Sequence, residues 1–266
     1  MTWIDSLRSW MRSASNIARV RAVCLGLLKP GMRILEIGPG NGEVLEALLE
    51  ADQRGRLGLE LHALDHLDSL LSRLPAPVHR HLFELEALKD TRQGLRELPF
   101  ADETFDLVIF SEVIEHLTFP QIMTAEIARI LGPGGALVLT TPNIFSLGNR
   151  LATLLGTDKI FRRVGSEGFI SSINYEPYGH VAHYSFTSLA GLLRPWFDIA
   201  RREASDFHVP ILLYLQPVMT RWFKGLSNHI VLVARRKPSR QVDGQPAHQR
   251  LTDNLAGHRD DRPRPE

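Results

Sequence analysis

Apolar and polar positions alternate in blocks along the chain, and the block lengths predict strands and helices in turn. "RILEIG" is a short apolar run fit for a buried strand, and "NGEVLEALLEA" follows with helical spacing. "LELHALD" predicts a second strand, and "HLDSLLSRL" a helix ended by Pro75 and Pro77. "VHRHLFEL" predicts a third strand. "FDLVIFS" predicts a fourth, followed by a short helix over "EVIEHL". "PQIMTAEIARIL" reads as a helix closed by "GPGG", and "ALVLTTP" as the next strand. "FTSLAGLL" (helix), "FDIARREA" (strand) and "HIVLVARR" (strand) complete the series. Strands that alternate with helices predict an α/β fold, a parallel sheet covered on both faces. Two late strands with poor helical signal between them predict an antiparallel edge.

Three stretches fall outside this rhythm. Residues 1–29 predict a helix capping the main domain, with Ile4, Leu7, Met11, Ala14 and Ala18 recurring at three- and four-residue steps. Its Arg8, Arg12, Arg19, Arg21 and Lys29 suit a solvated basic face or a membrane-surface contact. The segment 143–184 is too long for a plain connection and predicts a substrate lid within a domain spanning 30–236. Residues 237–266 contain no aromatic residue and few aliphatic ones, so a disordered tail is expected.

Composition narrows the picture little. Hydrophobic residues make up 44% and charged residues 23% of the 266, as in ordinary globular proteins. The net charge of +1 points to neither nucleic acid nor an acidic surface, and no DNA partner is expected. Cys24 is the only cysteine, which excludes an internal disulfide and a CxxC metal site. The N-terminus carries no signal-peptide pattern. The apolar stretch "VPILLYLQPVM" is too short to span a bilayer; packing on the N-terminal helix is expected ahead of grazing a membrane. A cytoplasmic location is the expectation.

The chemistry gathers at strand ends. "LEIGPGNGEV" sets Gly38, Gly40 and Gly42 directly after the first strand, where glycine permits a sharp turn and close approach of a ligand. Glu43 stands where a dinucleotide fingerprint requires its third glycine, which disfavours a nicotinamide enzyme. Asp65 ends the second strand. Its two carboxylate oxygens suit the vicinal hydroxyls of a ribose, and it would serve equally as a helix N-cap. "SEVIEHL" places Glu112, Glu115 and His116 at i, i+3 and i+4, which on a helix is one face. That pattern fits a divalent-metal half-site, a general base, or a pocket wall. His180 and His183 in "GHVAHYSF" could complete it.

Taken in order, "ILEIGPGNGEV", "LHALD", "LPFADETFDLVIFSEVIEHL" and "IARILGPGGALVLTTPN" resemble the successive motifs of class I S-adenosylmethionine-dependent methyltransferases. The resemblance implies a Rossmann-like, seven-stranded, mostly parallel sheet with helices on both faces and an antiparallel last strand. It implies S-adenosylmethionine as cofactor, with its methionine part on Gly38, Gly40 and Gly42, a loop ordered by Glu36, and its ribose on Asp65. Ser111 would lie beside it. The acid expected on the adenine amine is missing just before "LPF", and Glu84 is the nearest substitute, ahead of Glu86. The E-x-x-E-H string also resembles the metal motifs of ubiquinone-pathway O-methyltransferases and of small-RNA 2′-O-methyltransferases. On that resemblance Glu112, Glu115, His116 and His183 would hold Mg²⁺ or Mn²⁺, and His116 or His183 would act on the acceptor.

The segment after "TTPN" is similar to bacterial methyltransferases of surface-glycan and lipid pathways. Lys159, Arg162 and Arg163 could receive an acceptor phosphate, and Tyr175, Tyr178 and Trp222 could line its pocket. O-methylation of a small-molecule, glycan or lipid-linked acceptor is the leading expectation. A metal-dependent RNA 2′-O-methyltransferase and a non-catalytic, cofactor-binding partner subunit are the alternatives.

Overall fold

The computed structural model describes residues 16–85, 88, 97–156, 180–205, 218 and 221–238. The segment 157–179, with Lys159, Arg162, Arg163, Tyr175 and Tyr178, lies outside the described residues, as do Glu86, most of "VPILLYLQPVM" and the tail from 239 onward. A helix over residues 16–25 (α1) comes first. There follow β1 (Arg33–Ile37), α2 (Glu43–Gly55), β2 (Glu60–Asp65), α3 (Asp68–Leu71), β3 (His79–Leu82) and β4 (Phe105–Ser111). A 3₁₀ turn (Ile114–His116) leads to α4 (Pro120–Ile130), β5 (Leu131–Pro142) and α5 (Leu147–Leu154). The series closes with α6 (Phe186–Leu193), β6 (Phe197–Ala204), a 3₁₀ turn (Lys224–Leu226) and β7 (His229–Arg236).

The seven strands form one sheet in the order β3-β2-β1-β4-β5-β7-β6. The pairs from β3 through to β5 are parallel, and β7 runs antiparallel to both β5 and β6. The antiparallel strand is therefore inserted one place in from the edge, and β6 forms the margin. The central strands are apolar on both faces. Leu35, Ile37, Val108, Phe110, Leu137 and Leu139 pack on one side with α4 and α6. Ile34, Leu107, Ile109, Ala136 and Val138 pack on the other with Val20, Val23 and Cys24 of α1 and with Val44, Leu45 and Leu48 of α2. Strands this uniformly apolar are stable only when covered on both sides. In α1 the buried positions are Asn16, Val20, Val23 and Cys24, whereas Ala18 is exposed. Of the stripe read from the sequence only Ala18 is described and it does not pack; Ile4, Leu7, Met11 and Ala14 lie outside the described residues. Among the described residues no helix is long and apolar enough to cross a membrane.

One buried charge anchors the loop before β4. The Arg129 guanidinium on α4 is 6% exposed and forms an ion pair with Glu126 at 2.8 Å and another with Asp102 at 2.9 Å. It also donates to the carbonyls of Phe100 and Leu98 at 2.8 and 3.1 Å, and Glu126 accepts from the Leu98 amide. Nearly every donor of the guanidinium has a partner, which offsets its desolvation. Arg129→Ala leaves Glu126 buried without its cation and takes the guanidinium donor from the Phe100 and Leu98 carbonyls, the second of which keeps the Phe100 amide. It should lower the unfolding free energy by about 3–5 kcal/mol, read as a shift in the urea midpoint at unchanged slope.

Candidate functional site

The carboxyl ends of β1, β2, β4 and β5 meet at one edge of the sheet, the edge where open α/β sheets carry their ligands. β1 ends in a turn whose three glycines all have positive φ: 71° at Gly38, 55° at Gly40 and 81° at Gly42. A Cβ on Gly38 would lie 2.5 Å from a methyl of Val113, and one on Gly42 2.5 Å from a methyl of Leu74. A Cβ on Gly40 would meet nothing within 4 Å. The outer two glycines are demanded by protein packing. The middle one exposes backbone to open space, as a cradle for a ligand requires. Gly42 also caps α2, whose N-terminus adds free N–H groups.

Glu36 lies under this turn, 2% exposed, taking a backbone hydrogen bond from Leu45. Its Oε2 is buried without a hydrogen-bond partner among the described residues. Burial, helped by the charge of Glu43, pushes its carboxyl up to about 8. Asp65 stands at the end of β2, one residue past Leu64, whose carbonyl accepts from the Gly38 amide at 2.9 Å. Asp65 Oδ1 accepts from the Leu67 amide at 2.9 Å and lies 3.3 Å from His66 Nδ1. Both contacts fall on Oδ1, which leaves Oδ2 for a ligand. Asp65 closes a local turn and is not the N-cap of α3, a place held by Leu67. Glu84, two residues beyond β3, is exposed.

The stretch after β4 differs from the expected helix. Glu112 has φ 56°, and only Ile114–His116 forms a 3₁₀ turn, so the three side chains do not share a helix face. The Glu112 carboxylate turns toward β5, α1 and β7. Its Oε1 accepts from Thr140 Oγ1 at 2.7 Å and Asn16 Nδ2 at 3.1 Å, and Oε2 lies 3.5 Å from His229 Nε2. Thr140 spends its one proton on Glu112. Ser111 must therefore donate to Thr140 across their 2.8 Å contact, and its hydroxyl proton is committed inward.

Glu115 is 2% exposed, and its Oε2 accepts from Thr141 Oγ1 at 3.0 Å. Burial first, then the charge of Glu112, raises its pKa well above the usual carboxylate range. Its backbone carbonyl accepts from the Val181 and Ala182 amides at 2.8 and 3.1 Å. Those bonds bring the second histidine segment onto the first. The His116 and His180 rings meet edge to face at 4.9 Å, and His183 follows with its ring 6.2 Å from His180. One ligand atom each from Glu115, His116 and His180 lies within 4.8 Å of the others, a group that includes neither Glu112 nor His183. His183 Nε2 is buried with no hydrogen-bond partner among the described residues, and burial lowers its pKa. Tyr184 is pushed up to about 12 by burial and by Glu115.

"TTPN" has a structural explanation. Asn143 Nδ2 donates to the carbonyls of Gly225 and Ser227, and Oδ1 accepts from the Phe145 amide, which ties the end of β5 to the turn before β7. Asn16, Thr140, Thr141 and His229 also belong to the site and escaped the sequence reading. Their partners lie 26 to 117 residues away along the chain. Trp222 is 73% exposed and lines nothing described.

Comparison with known proteins agrees with this geometry. A family model described as a methyltransferase domain matches residues 7–195. The ubiquinone biosynthesis O-methyltransferase of Xanthomonas campestris pv. campestris is 29% identical over 196 residues, covering 71% of this chain and 77% of that protein. The malonyl-[acyl-carrier protein] O-methyltransferase of Chlorobium luteolum is 27% identical over 195 residues, 65% of this chain and 70% of its own. In fold, an S-adenosylmethionine-dependent methyltransferase structure from Thermotoga maritima superposes with a TM-score of 0.55 at 18% identity, over 89% of this chain and 96% of that one.

The raised pKa of Glu36 has a measurable consequence. The folded chain keeps a proton that the unfolded chain releases near 4.5, so stability falls as pH rises from about 4.5 and levels off above about 8. Glu36→Gln has no proton to lose there. It should flatten that part of the profile, measured as the melting temperature at intervals across the window.

Proposed function

The chain belongs to the S-adenosylmethionine-dependent methyltransferases, and from that premise we propose that it methylates an oxygen of a small-molecule, glycan or lipid-linked acceptor. Two relatives named as O-methyltransferases support oxygen as the acceptor atom. The observation that carries the reading is the buried Nε2 of His183, without a partner among the described residues, next to the His116–His180 pair. In the tautomer that carries its proton on Nδ1, this imidazole offers Nε2 to take the proton of an acceptor hydroxyl as its oxygen attacks. Nothing observed favours the RNA or the non-catalytic alternative.

In this reading the cofactor's methionine part rests on the turn Gly38–Gly42 and faces the N–H groups that open α2. The open space over Gly40 and the unpaired Oε2 of Glu36 both suit a ligand with amino and carboxylate groups. Asp65 takes the ribose hydroxyls through Oδ2. Glu84 is the candidate for the adenine amine. Ser111 contributes through its backbone, since its hydroxyl proton is used on Thr140.

Acceptor activation falls to the second cluster. His183 receives the hydroxyl proton as the oxygen attacks the sulfonium methyl. Its depressed pKa keeps it neutral at physiological pH. Glu115, His116 and His180 are the residues that would hold a divalent ion, two imidazoles and a carboxylate suiting Mn²⁺ better than Mg²⁺, and such an ion would lower the pKa of the acceptor hydroxyl. Glu112, held by Asn16 and Thr140, shapes the wall beside them. Most of the remaining barrier reduction comes from holding the nucleophile in line with the S–CH₃ bond.

Incubation with methyl-labelled S-adenosylmethionine and fractionated lipid and glycan extracts tests this. Label should appear in a product whose new methyl is an ether or ester by mass spectrometry. Methylation on nitrogen or carbon would refute the oxygen assignment. Asp65→Ala should weaken cofactor binding by about 1–3 kcal/mol in calorimetry. His183→Ala should keep that affinity and lose about 10²–10⁴-fold in kcat. A His183→Ala enzyme with unchanged kcat would remove the base from this mechanism.

A further inference from the structure

A second group of imidazoles lies at the opposite end of the same strands. Glu60 opens β2, which Asp65 closes five residues on, roughly 16 Å away. His62 follows on β2, and His79 and His81 stand on β3. The parallel register pairs His62 with His79 and Leu64 with His81, which sets Glu60 and the three imidazoles on one face. The His62 ring stacks on His79 at 4.7 Å and on His81 at 5.3 Å. Phe100 and Phe105 stand edge-on around them, with Phe105 5.1 Å from His62 and Phe100 4.7 Å from His81. None of these residues takes part in methyl transfer as described above.

The donor atoms converge. One each from Glu60, His62 and His79 lies within 4.8 Å of the others. His62 is buried, Glu60 is partly exposed and His79 is exposed, so the group has a rigid floor and a mouth open to water. His62 Nε2 faces Glu60 Oε1 at 2.8 Å, while its Nδ1 faces His81 Nε2 at 3.0 Å. Glu60 Oε2 lies 3.2 Å from the Arg33 guanidinium. Each carboxylate oxygen and each ring nitrogen thus has a separate direction to serve.

We propose that Glu60, His62 and His79 form a zinc-binding site that joins edge strand β3 to β2. Two imidazoles and a carboxylate are borderline donors, suited to zinc and unlike the all-oxygen shells of Mg²⁺ and Ca²⁺. Coordination through His62 Nε2 places that ring's proton on Nδ1, where it donates to His81 Nε2. A ligating histidine oriented by such an outer hydrogen bond is the usual arrangement at zinc sites. Arg33 holds the other oxygen of Glu60 and sets the carboxylate's direction. Closing the group to bonds of about 2.0–2.2 Å moves mainly Glu60 and His79, which sit at the surface where rotamers change cheaply. Three protein ligands leave a fourth, tetrahedral position for water.

Glu115, His116 and His180 are a rival group in the same chain, so the test must separate the two. Zinc is titrated into the full-length, metal-stripped protein by calorimetry, and Co²⁺ is substituted to read tetrahedral absorption bands. The wild type and His180→Ala should bind a zinc equivalent that raises the melting temperature. His79→Ala and Glu60→Gln should each weaken that equivalent at least tenfold and lose the Co²⁺ bands. Both substitutions are at the surface, and far-UV circular dichroism of the metal-free variants checks the fold. Should one variant fail to fold, the other decides. Wild-type zinc affinity in a folded His79→Ala or Glu60→Gln chain overturns the proposal. So does the absence of micromolar zinc binding by the wild type, or its loss in His180→Ala alone.

Discussion

There is no room for a side chain at Gly38 or Gly42, and the arrangement of the site follows from that contact. A methyl group on either would approach Val113 or Leu74 to 2.5 Å. Real Cβ atoms do not come so close to carbon, and the positive φ values would strain any other residue as well. The gain is proximity. Val113 belongs to the turn after β4 and Leu74 to the segment after α3, so both loops close directly onto the turn after β1. Three loops that start on three parallel strands become one surface. Gly40 lies between them and faces open space.

The same surface is built on carboxylates kept from water. Glu36 and Glu115 are each 2% exposed, and desolvation is the largest cause of both raised pKa values. A buried acid with few partners is more stable protonated, because the neutral form needs far less solvation. Glu112 is placed differently. It is partly exposed, accepts from Thr140 and Asn16, and lies near His229. Its left-handed backbone costs on the order of 1–2 kcal/mol for a residue with a Cβ. The bond from its amide to the Thr140 carbonyl, together with the two side-chain bonds, holds it there. Sites that carry this kind of strain are commonly ligand sites.

Much of this was legible in the sequence because it is local. Apolar runs of strand length, the glycine turn and the acid ending β2 are each written within a few residues, and the structure has all three. The failures share a cause. "EVIEHL" has helical spacing, but the bonds of Glu112 to β5 and α1 break the helix before it starts. Those partners are 28 and 96 residues away. In the described part of the first helix the periodicity points to Ala18, which is exposed, and tertiary contact with β1 and α2 selects Val20, Val23 and Cys24. Both His180 and His183 were candidates to meet His116; backbone amides that reach the Glu115 carbonyl decide that His180 does, and no side-chain pattern records a backbone bond. The antiparallel β7 was legible as a strand, but its insertion between β5 and β6 is a matter of pairing alone.

The backbone bond at Glu115 links the two halves of the site. The Glu115 carbonyl holds Val181 and Ala182, which carry His180 and His183 into place. Two residues earlier in the same turn, Val113 bears on Gly38. The turn Val113–Glu115 therefore touches the glycine loop through a side chain and the histidine segment through its main chain. The turn is itself fixed by Thr140 and Thr141, adjacent residues of β5 that donate to Glu112 and Glu115 respectively. Alternation along β5 sends those two hydroxyls to opposite faces of the sheet, so the turn is gripped from both sides. On the proposed function, a strand end gripped in this way would be a rigid support for two loops whose ligands must meet within bonding distance, which is the geometric demand that direct methyl transfer makes.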